Sequence, residues 1–197
     1  GLSCGKNEEE GYAELFLTNK TPQWTDGKVV LQASYTDQWG FLILPETPFT
    51  WEGQGIANKN GEEVDVSSNG IYKVHLNAEN EDVIQEELSL SVEVKNIDKT
   101  APVIVSADFL EKEGKMSNII RVMAKDLQPD GKYGSGLAEE AYSFDGGKTW
   151  QRENEMEAVQ NGEISVAVRD WCGNISVKAV KVSHIEEKEP GDGNEDG

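Results

Sequence analysis

The chain has 197 residues, a formal net charge of −19 and a mean hydropathy of −0.57. Charge of that sign is repelled by phosphate backbones and anionic membrane surfaces, so nucleic acid is excluded as a partner, while cations, cationic surfaces and neutral sugars remain. No apolar run is long enough for a spanning helix, so no membrane insertion is expected within this segment.

Gly1-Leu2-Ser3-Cys4 opens the chain without a secretory leader, and residues 1–9 are expected to be an N-terminal tail. From there the hydrophobic period is 2. Val29, Leu31, Ala33 and Tyr35 alternate with Val30, Gln32, Ser34 and Thr36. Tyr72, Val74 and Leu76 follow the same rule, as do Leu88, Leu90, Val92 and Val94. Ile120, Val122 and Ala124, then Ile164, Val166 and Val168, then Val180 and Val182 continue it. Strict alternation predicts strands with one buried and one wet face. Gly, Asn and Asp between them predict turns. No amphipathic helix is evident; Glu81–Glu87 and Glu153–Val159 are the two places with room for a helical turn. The closing stretch, Glu189 to Gly197, is rich in glycine and acid and reads as linker. Both ends look cut from a longer polypeptide.

Near the middle, Asn96-Ile97-Asp98-Lys99-Thr100-Ala101-Pro102 separates two alternating runs, and Ile185-Glu186-Glu187-Lys188-Glu189-Pro190 echoes it. An internal repeat runs on either side. Pro48 to Gly53 lines up with Ala141 to Gly146 at an offset of 93, and Ser68 to Tyr72 with Gln160 to Ile164 at 92. Ala33 matches Ala124 at 91, and Ile97 matches Ile185 at 88. A steady offset with small drift is what duplicated β domains with loop insertions give. The expected division is therefore residues 10–97 and 98–186, with 187–197 as an acidic tail. Turn signals every few residues over such a length suit two tandem immunoglobulin-like β-sandwiches, an all-β fold. Asn69-Gly70 and Asn161-Gly162 are expected at tight turns, where both residue types tolerate positive φ.

Three stretches resemble tandem bacterial immunoglobulin-like repeats. They are Asp98-Lys99-Thr100-Ala101-Pro102, Tyr142-Ser143-Phe144-Asp145-Gly146-Gly147-Lys148-Thr149-Trp150, and Val168-Arg169-Asp170-Trp171-Cys172-Gly173-Asn174. The resemblance spans roughly residues 12–186. The first half departs from it, with Thr50-Trp51-Glu52-Gly53-Gln54-Gly55 and Asn77-Ala78-Glu79-Asn80 at the matching places. It implies a secreted or cell-wall-attached location outside the cell, with neighbouring domains of a longer polypeptide and a host or cell-wall glycan or protein as partners.

Ser143 to Trp150 also fits an Asp-box hairpin, in which the Asp accepts turn amides and the Trp pins the hairpin. That role is structural. Catalytic groups are scarce: the histidines are His75 and His184, both on polar strand faces, and no nucleophile is paired with a base. No enzyme and no catalytic residue is expected. Calcium is the one cofactor worth placing, because it takes oxygen ligands from acidic loops. Its candidate ligands are Asp98 in the middle stretch and Asp126, Asp130 and Asp170 in loops of the second repeat, where an ion would rigidify the junction. Asp126 to Gly131 lacks the spacing of an EF-hand loop. Of the five tryptophans, Trp39 and Trp171 sit in glycine-containing loops and are the candidates for stacking on sugars. That makes a carbohydrate-binding accessory module of a glycan-degrading enzyme the alternative to a non-catalytic spacer or adhesion module. Cys4 and Cys172 fall in different repeats, and pairing between them is open.

Overall fold

The structure is a computed structural model that describes residues 2–7, 11–79, 88–109, 117–183 and 185–186. It is all-β, with no α-helix among the described residues. The chain divides into two compact units, Gly1–Asp98 and Lys99–Gly197.

The first unit holds β1 (Leu2–Asn7), β2 (Gly11–Asn19), β3 (Val29–Asp37), β4 (Phe49–Glu52), β5 (Ile56–Ala57), β6 (Glu63–Val66), β7 (Gly70–Leu76) and β8 (Ser89–Val94). They form two sheets, ordered β1-β2-β3-β6-β5 and β4-β7-β8. The second unit holds β9 (Val103–Phe109), β10 (Asn118–Lys125), β11 (Leu137–Ser143), β12 (Glu155–Ala158), β13 (Gly162–Asp170) and β14 (Ile175–Val182). Its sheets are ordered β12-β10-β9 and β11-β13-β14. Every ladder between these strands is antiparallel. The order β2-β3-β6 with β4-β7-β8 therefore repeats as β9-β10-β12 with β11-β13-β14.

In each unit one apolar cluster draws on both sheets, an arrangement consistent with a β-sandwich. In the first, Leu15, Val29, Leu31, Ala33, Val64 and Val66 meet Phe49, Trp51, Tyr72, Val74, Leu76 and Val94. Trp51 is buried, and its ring N–H donates to the Gly61 carbonyl at 2.8 Å, as a buried indole requires. Tyr72 lies against Gly53, where a Cβ would come within 2.3 Å of the ring and φ is +147°. Only glycine fits there. In the second unit Ile120, Val122, Ala158, Val166, Val168, Val182 and Ile185 form the core, flanked by Tyr142 and Phe144. Burial raises the Tyr142 hydroxyl pKa above its ordinary value.

The repeat is visible in hydrogen bonds as well as in strand order. Asn69 donates to the Ile97 carbonyl at 2.8 Å and accepts from the Ile97 amide at 2.9 Å. Asn161 holds Ile185 the same way, at 2.9 Å for both bonds. Glycine takes the positive φ at both turns, +159° at Gly70 and +138° at Gly162. The asparagines instead clamp a segment far along the chain, a role the turn reading did not assign them.

Three expectations need correction. Within residues 1–9, expected as a tail, β1 pairs with β2, Leu2 opposite Leu15 and Cys4 opposite Ala13. Glu153–Val159 contains the strand β12 and not a helical turn, because Ala158 is buried, Met156 packs on the core and Arg121 Nε meets Glu155 Oε1 at 2.6 Å across the ladder. The repeat register in β3 and β10 is also shifted. The Ala33 amide bonds Glu62 as the Val122 amide bonds Asn154, so Ala33 corresponds to Val122 and Asp37 to Asp126. A slip of two residues keeps the same face, which is why the sequence pattern could not detect it. Glu81–Glu87 and the acidic tail lie outside the described residues.

Candidate metal centre

Asp98, Asp126 and Asp170 converge. Each offers a carboxylate oxygen, and these oxygens all lie within 4.8 Å of one another. All three residues are buried, at 0%, 3% and 1% exposure.

Local structure puts each one there. Asp98 follows the clamped Ile97, and its amide donates to the Thr25 carbonyl at 2.8 Å. Asp126 directly follows β10, where the chain leaves the sheet. Its Oδ2 accepts the Gly136 amide at 2.8 Å and the Ser135 hydroxyl at 3.3 Å, and its carbonyl accepts the Gly134 amide at 2.9 Å. Gly136 adopts φ +89°, which lets the loop fold back over the carboxylate. Asp126 Oδ1 is buried and accepts no hydrogen bond. Asp170 ends β13 and closes a tight loop. Its Oδ1 accepts the Asn174 amide at 2.9 Å, and its Oδ2 accepts the Asn174 side-chain amide at 2.8 Å. The Trp171 amide donates to the Gly136 carbonyl at 2.8 Å and ties the two loops together.

Three like charges in so small a volume are costly. At an effective dielectric of about 20, two unit charges 4.8 Å apart repel by roughly 3 kcal/mol. Burial adds a desolvation cost to each charge. The amide and hydroxyl donors to Asp126 and Asp170 lower that cost, and a cation among the three carboxylates would lower it further. Calcium–oxygen distances of about 2.3–2.6 Å let two ligands of one ion stand up to about 5 Å apart, so the 4.8 Å spread fits a calcium ion.

Of the four acids singled out in the sequence, the structure brings three together and leaves Asp130 aside. Asp130 is exposed and accepts the amide of Lys132 at 3.0 Å within its own turn. Sequence reasoning missed Asn174, which orients Asp170, and Gly136, which bonds Asp126 and Trp171. The Gly173-Asn174 pair of the third motif was the available signal for the first of these.

The remaining candidates have other settings. Trp171 is 67% exposed and Trp39 57%; they belong to different units. The Trp39 loop is organised by Asp37, which accepts the amides of Trp39 at 3.2 Å and Leu42 at 3.0 Å and the Tyr35 hydroxyl at 3.3 Å. Partial burial raises the Asp37 pKa, but these bonds together outweigh it and leave the value lowered. Asp145 in the hairpin accepts the Thr149 hydroxyl at 2.6 Å, the Thr149 amide at 2.9 Å, the Ser143 hydroxyl at 2.7 Å and the Lys148 amide at 3.0 Å. Led by the Thr149 hydroxyl bond, these hold its carboxyl well below the usual range. Its neighbour Trp150 lies under the Arg169 guanidinium, 4.4 Å from the ring centre. His75 meets Glu52 at 3.2 Å across β4 and β7, and His184 lies outside the described residues. Cys172 is partly buried, and the Cys4 side chain is outside the described set.

A groove on the solvent face of β9 and β10 is lined by Ser106, Asp108, Phe109, Ile119, Arg121 and Met123. No protein-family model matches the chain, and no curated protein matches it.

Proposed function

We propose that the chain is a pair of tandem immunoglobulin-like β-sandwich domains, a non-catalytic spacer or adhesion module of a bacterial cell-surface or secreted protein. Asp98, Asp126 and Asp170 bind one calcium ion in it. The observation that carries the metal assignment is the burial of three carboxylates within 4.8 Å of one another. Acidic composition, the repeated strand order and the twin asparagine clamps support a modular, duplicated β protein.

The non-catalytic reading is supported by the setting of the chemistry-bearing side chains. Asp145 is engaged by its own hairpin, His75 pairs with Glu52 on a sheet surface, and Arg121 in the groove is held by Glu155. The ion has a structural part in this reading. It neutralises the carboxylates of the loops that follow β10 and β13. Three carboxylates supply three to six of the six to eight oxygens calcium takes, and backbone carbonyls and water complete the shell.

Calorimetric titration of the full chain with calcium chloride tests this directly. One ion per chain should bind, and the Asp126→Asn/Asp170→Asn double variant should lose it. Absence of binding at millimolar calcium would remove the metal assignment.

A further inference from the structure

Two exposed apolar patches each occur in one unit and are missing at the equivalent place in the other. The first is the loop after β3. Trp39, Phe41 and Ile43 are each more than half exposed there, and Leu44 follows them. Leu42 packs on the core, Asp37 accepts the Trp39 and Leu42 amides, and the Ile43 carbonyl accepts the Glu79 amide at 2.7 Å. The loop thus holds its apolar tip in place before any partner arrives. Its charges are all negative. Asp37, Glu46 and Glu79 stand in segments 37–50 and 77–79, which contain no lysine or arginine. In the second unit the equivalent loop, Leu127 to Gly136, exposes Tyr133 alone among large apolar side chains.

The second patch is the outer face of β14. Ile175 and Val177 are half or more exposed, and exposed Ala179 continues the row. These residues stand opposite Arg169, Ala167 and Ser165 of β13. Ala167 is fully buried although Val177 beside it is not, so the cover over this face ends between the two strands. The Asp145 hairpin lies over β13, with the Gly146 amide donating to the Ser165 carbonyl at 2.9 Å and Trp150 under Arg169. β14 is left as a bare apolar row beside it. Exposed Lys178 and Lys181 belong to the same strand, and Glu163 opposite Lys181 is the one acid in the ladder. In the first unit the corresponding ladder puts Ser89, Ser91 and Glu93 in that row.

The patches are alike in apolar character and opposite in charge. We infer that the Trp39–Leu44 loop of one copy docks on the β14 face of a second copy. The loop tip covers Ile175 and Val177, and Glu46 and Glu79 face Lys178 and Lys181. An apolar centre framed by complementary charge is what a specific protein interface combines. A second copy is favoured over an unrelated protein because this chain carries both halves of the contact, each where its duplicate lacks it. A lipid surface is disfavoured, because an acid-framed tip is repelled by anionic headgroups. Two different patches make a heterologous contact, so every copy keeps one loop and one face unused and the assembly grows head to tail. Patches of this size fall below the roughly 1,200 Å² of a standard interface, so the contact is weak, with a dissociation constant near about 0.1–1 mM. It is independent of the metal reading.

Sedimentation velocity of the full chain tests this, from about 10 μM to about 1 mM, in EDTA so that no metal bridges two acidic chains. The average mass should rise with concentration above the 21.7 kDa monomer and past the dimer. Phe41→Ser and Val177→Ser should each weaken association at least about tenfold. Mixed together, the two variants should recover a dimer and stop there. The Phe41→Ser chain keeps its face, and the Val177→Ser chain keeps its loop. Lys181→Glu, which installs the acid that the first unit has at that place, should weaken association at least about threefold. A chain that stays monomeric at the highest concentration overturns the contact. Association that either single variant leaves intact overturns it too. So does a mixture no heavier than its parts when both variants melt like the wild type. Phe41-dependent flotation of a monomeric chain with phosphatidylcholine vesicles assigns the loop to a lipid surface and overturns the contact as well.

Discussion

Replacing Asp126 with Asn should move stability in opposite directions with and without calcium. The substitution keeps the shape of the side chain and an oxygen that can accept the Gly136 amide, now made at 2.8 Å. It removes one of three buried charges. Without metal, two of the three pairwise repulsions disappear, each worth roughly 3 kcal/mol at full ionisation and an effective dielectric of about 20. Side-chain relaxation and the donors around the cluster offset part of that in the wild type, so a gain of about 1–3 kcal/mol is expected in chelator. With calcium the wild type gains the binding energy. A site with a dissociation constant near about 0.1 mM, in the range of extracellular modules, contributes about 2.7 kcal/mol at a hundredfold excess of ion. For a unit of this size that is a rise of roughly 10–20 °C in melting temperature. The Asn variant should show little of it. Differential scanning calorimetry of both proteins, in EDTA and in 10 mM calcium chloride, reads all four states. The variant should melt above the wild type in EDTA and below it in calcium. A wild-type transition that ignores calcium would refute the metal centre. Equal calcium responses in the two proteins would refute the part given to Asp126.

Three further outcomes follow from the described contacts. Asn161→Ala removes both bonds to Ile185 and should cost the second unit about 2–3 kcal/mol in urea unfolding; Asn69→Ala should do the same to the first unit. Trp51→Ala leaves a cavity in the first core and strands the Gly61 carbonyl, so a loss of about 3–5 kcal/mol is expected, with the second-unit transition unmoved. Asp145 has a lowered folded-state pKa, so its stabilisation is present above the unfolded value near about 4 and fades as pH falls through the folded value. Asp145→Asn should therefore lower the melting temperature at pH 7, and its deficit should shrink in acid. A deficit that stays constant down to pH 2 would show that charge is not what the hairpin uses.

The strands were legible because burial on one face writes itself as alternation. Val29, Leu31 and Ala33 are buried, and so are Ile120 and Val122. Three of the metal candidates were legible for a different reason. Asp98, Asp126 and Asp170 each stand where a strand gives way to a loop or a new strand begins, and such positions gather at one end of a β unit. Asp130 has the same composition around it and a different fate, because it lies exposed in its own turn, where it accepts the amide of Lys132. Sequence spacing carries no information on that choice. The clamp from Asn69 to Ile97 was hidden because its partner lies 28 residues away. The strand within residues 1–9 was hidden because Leu2 to Asn7 pairs through backbone, which does not need an alternating side-chain pattern.

The first unit repeats the loop frame of Asp126 and Asp170 with one acid in place of two. Asp37 stands at the position of Asp126, and it too accepts a loop amide through Oδ2, from Leu42 at 3.0 Å where Asp126 accepts from Gly136 at 2.8 Å. The bond joining the neighbouring loops is also kept. The Glu79 amide donates to the Ile43 carbonyl at 2.7 Å where the Trp171 amide donates to Gly136. This equivalence puts Ala78 at the position of Asp170. One carboxylate, half-buried and bonded by amides and a tyrosine hydroxyl, needs no counter-ion, and its lowered pKa reflects that. Three carboxylates at full burial within 4.8 Å repel one another, and a cation relieves that repulsion. The same loop frame thus serves two electrostatic solutions, and the change from Ala78 to Asp170 separates them. Placing an aspartate at Ala78 alone should destabilise the first unit without creating a site. The acids at positions 37 and 78 would still be two where the candidate centre has three.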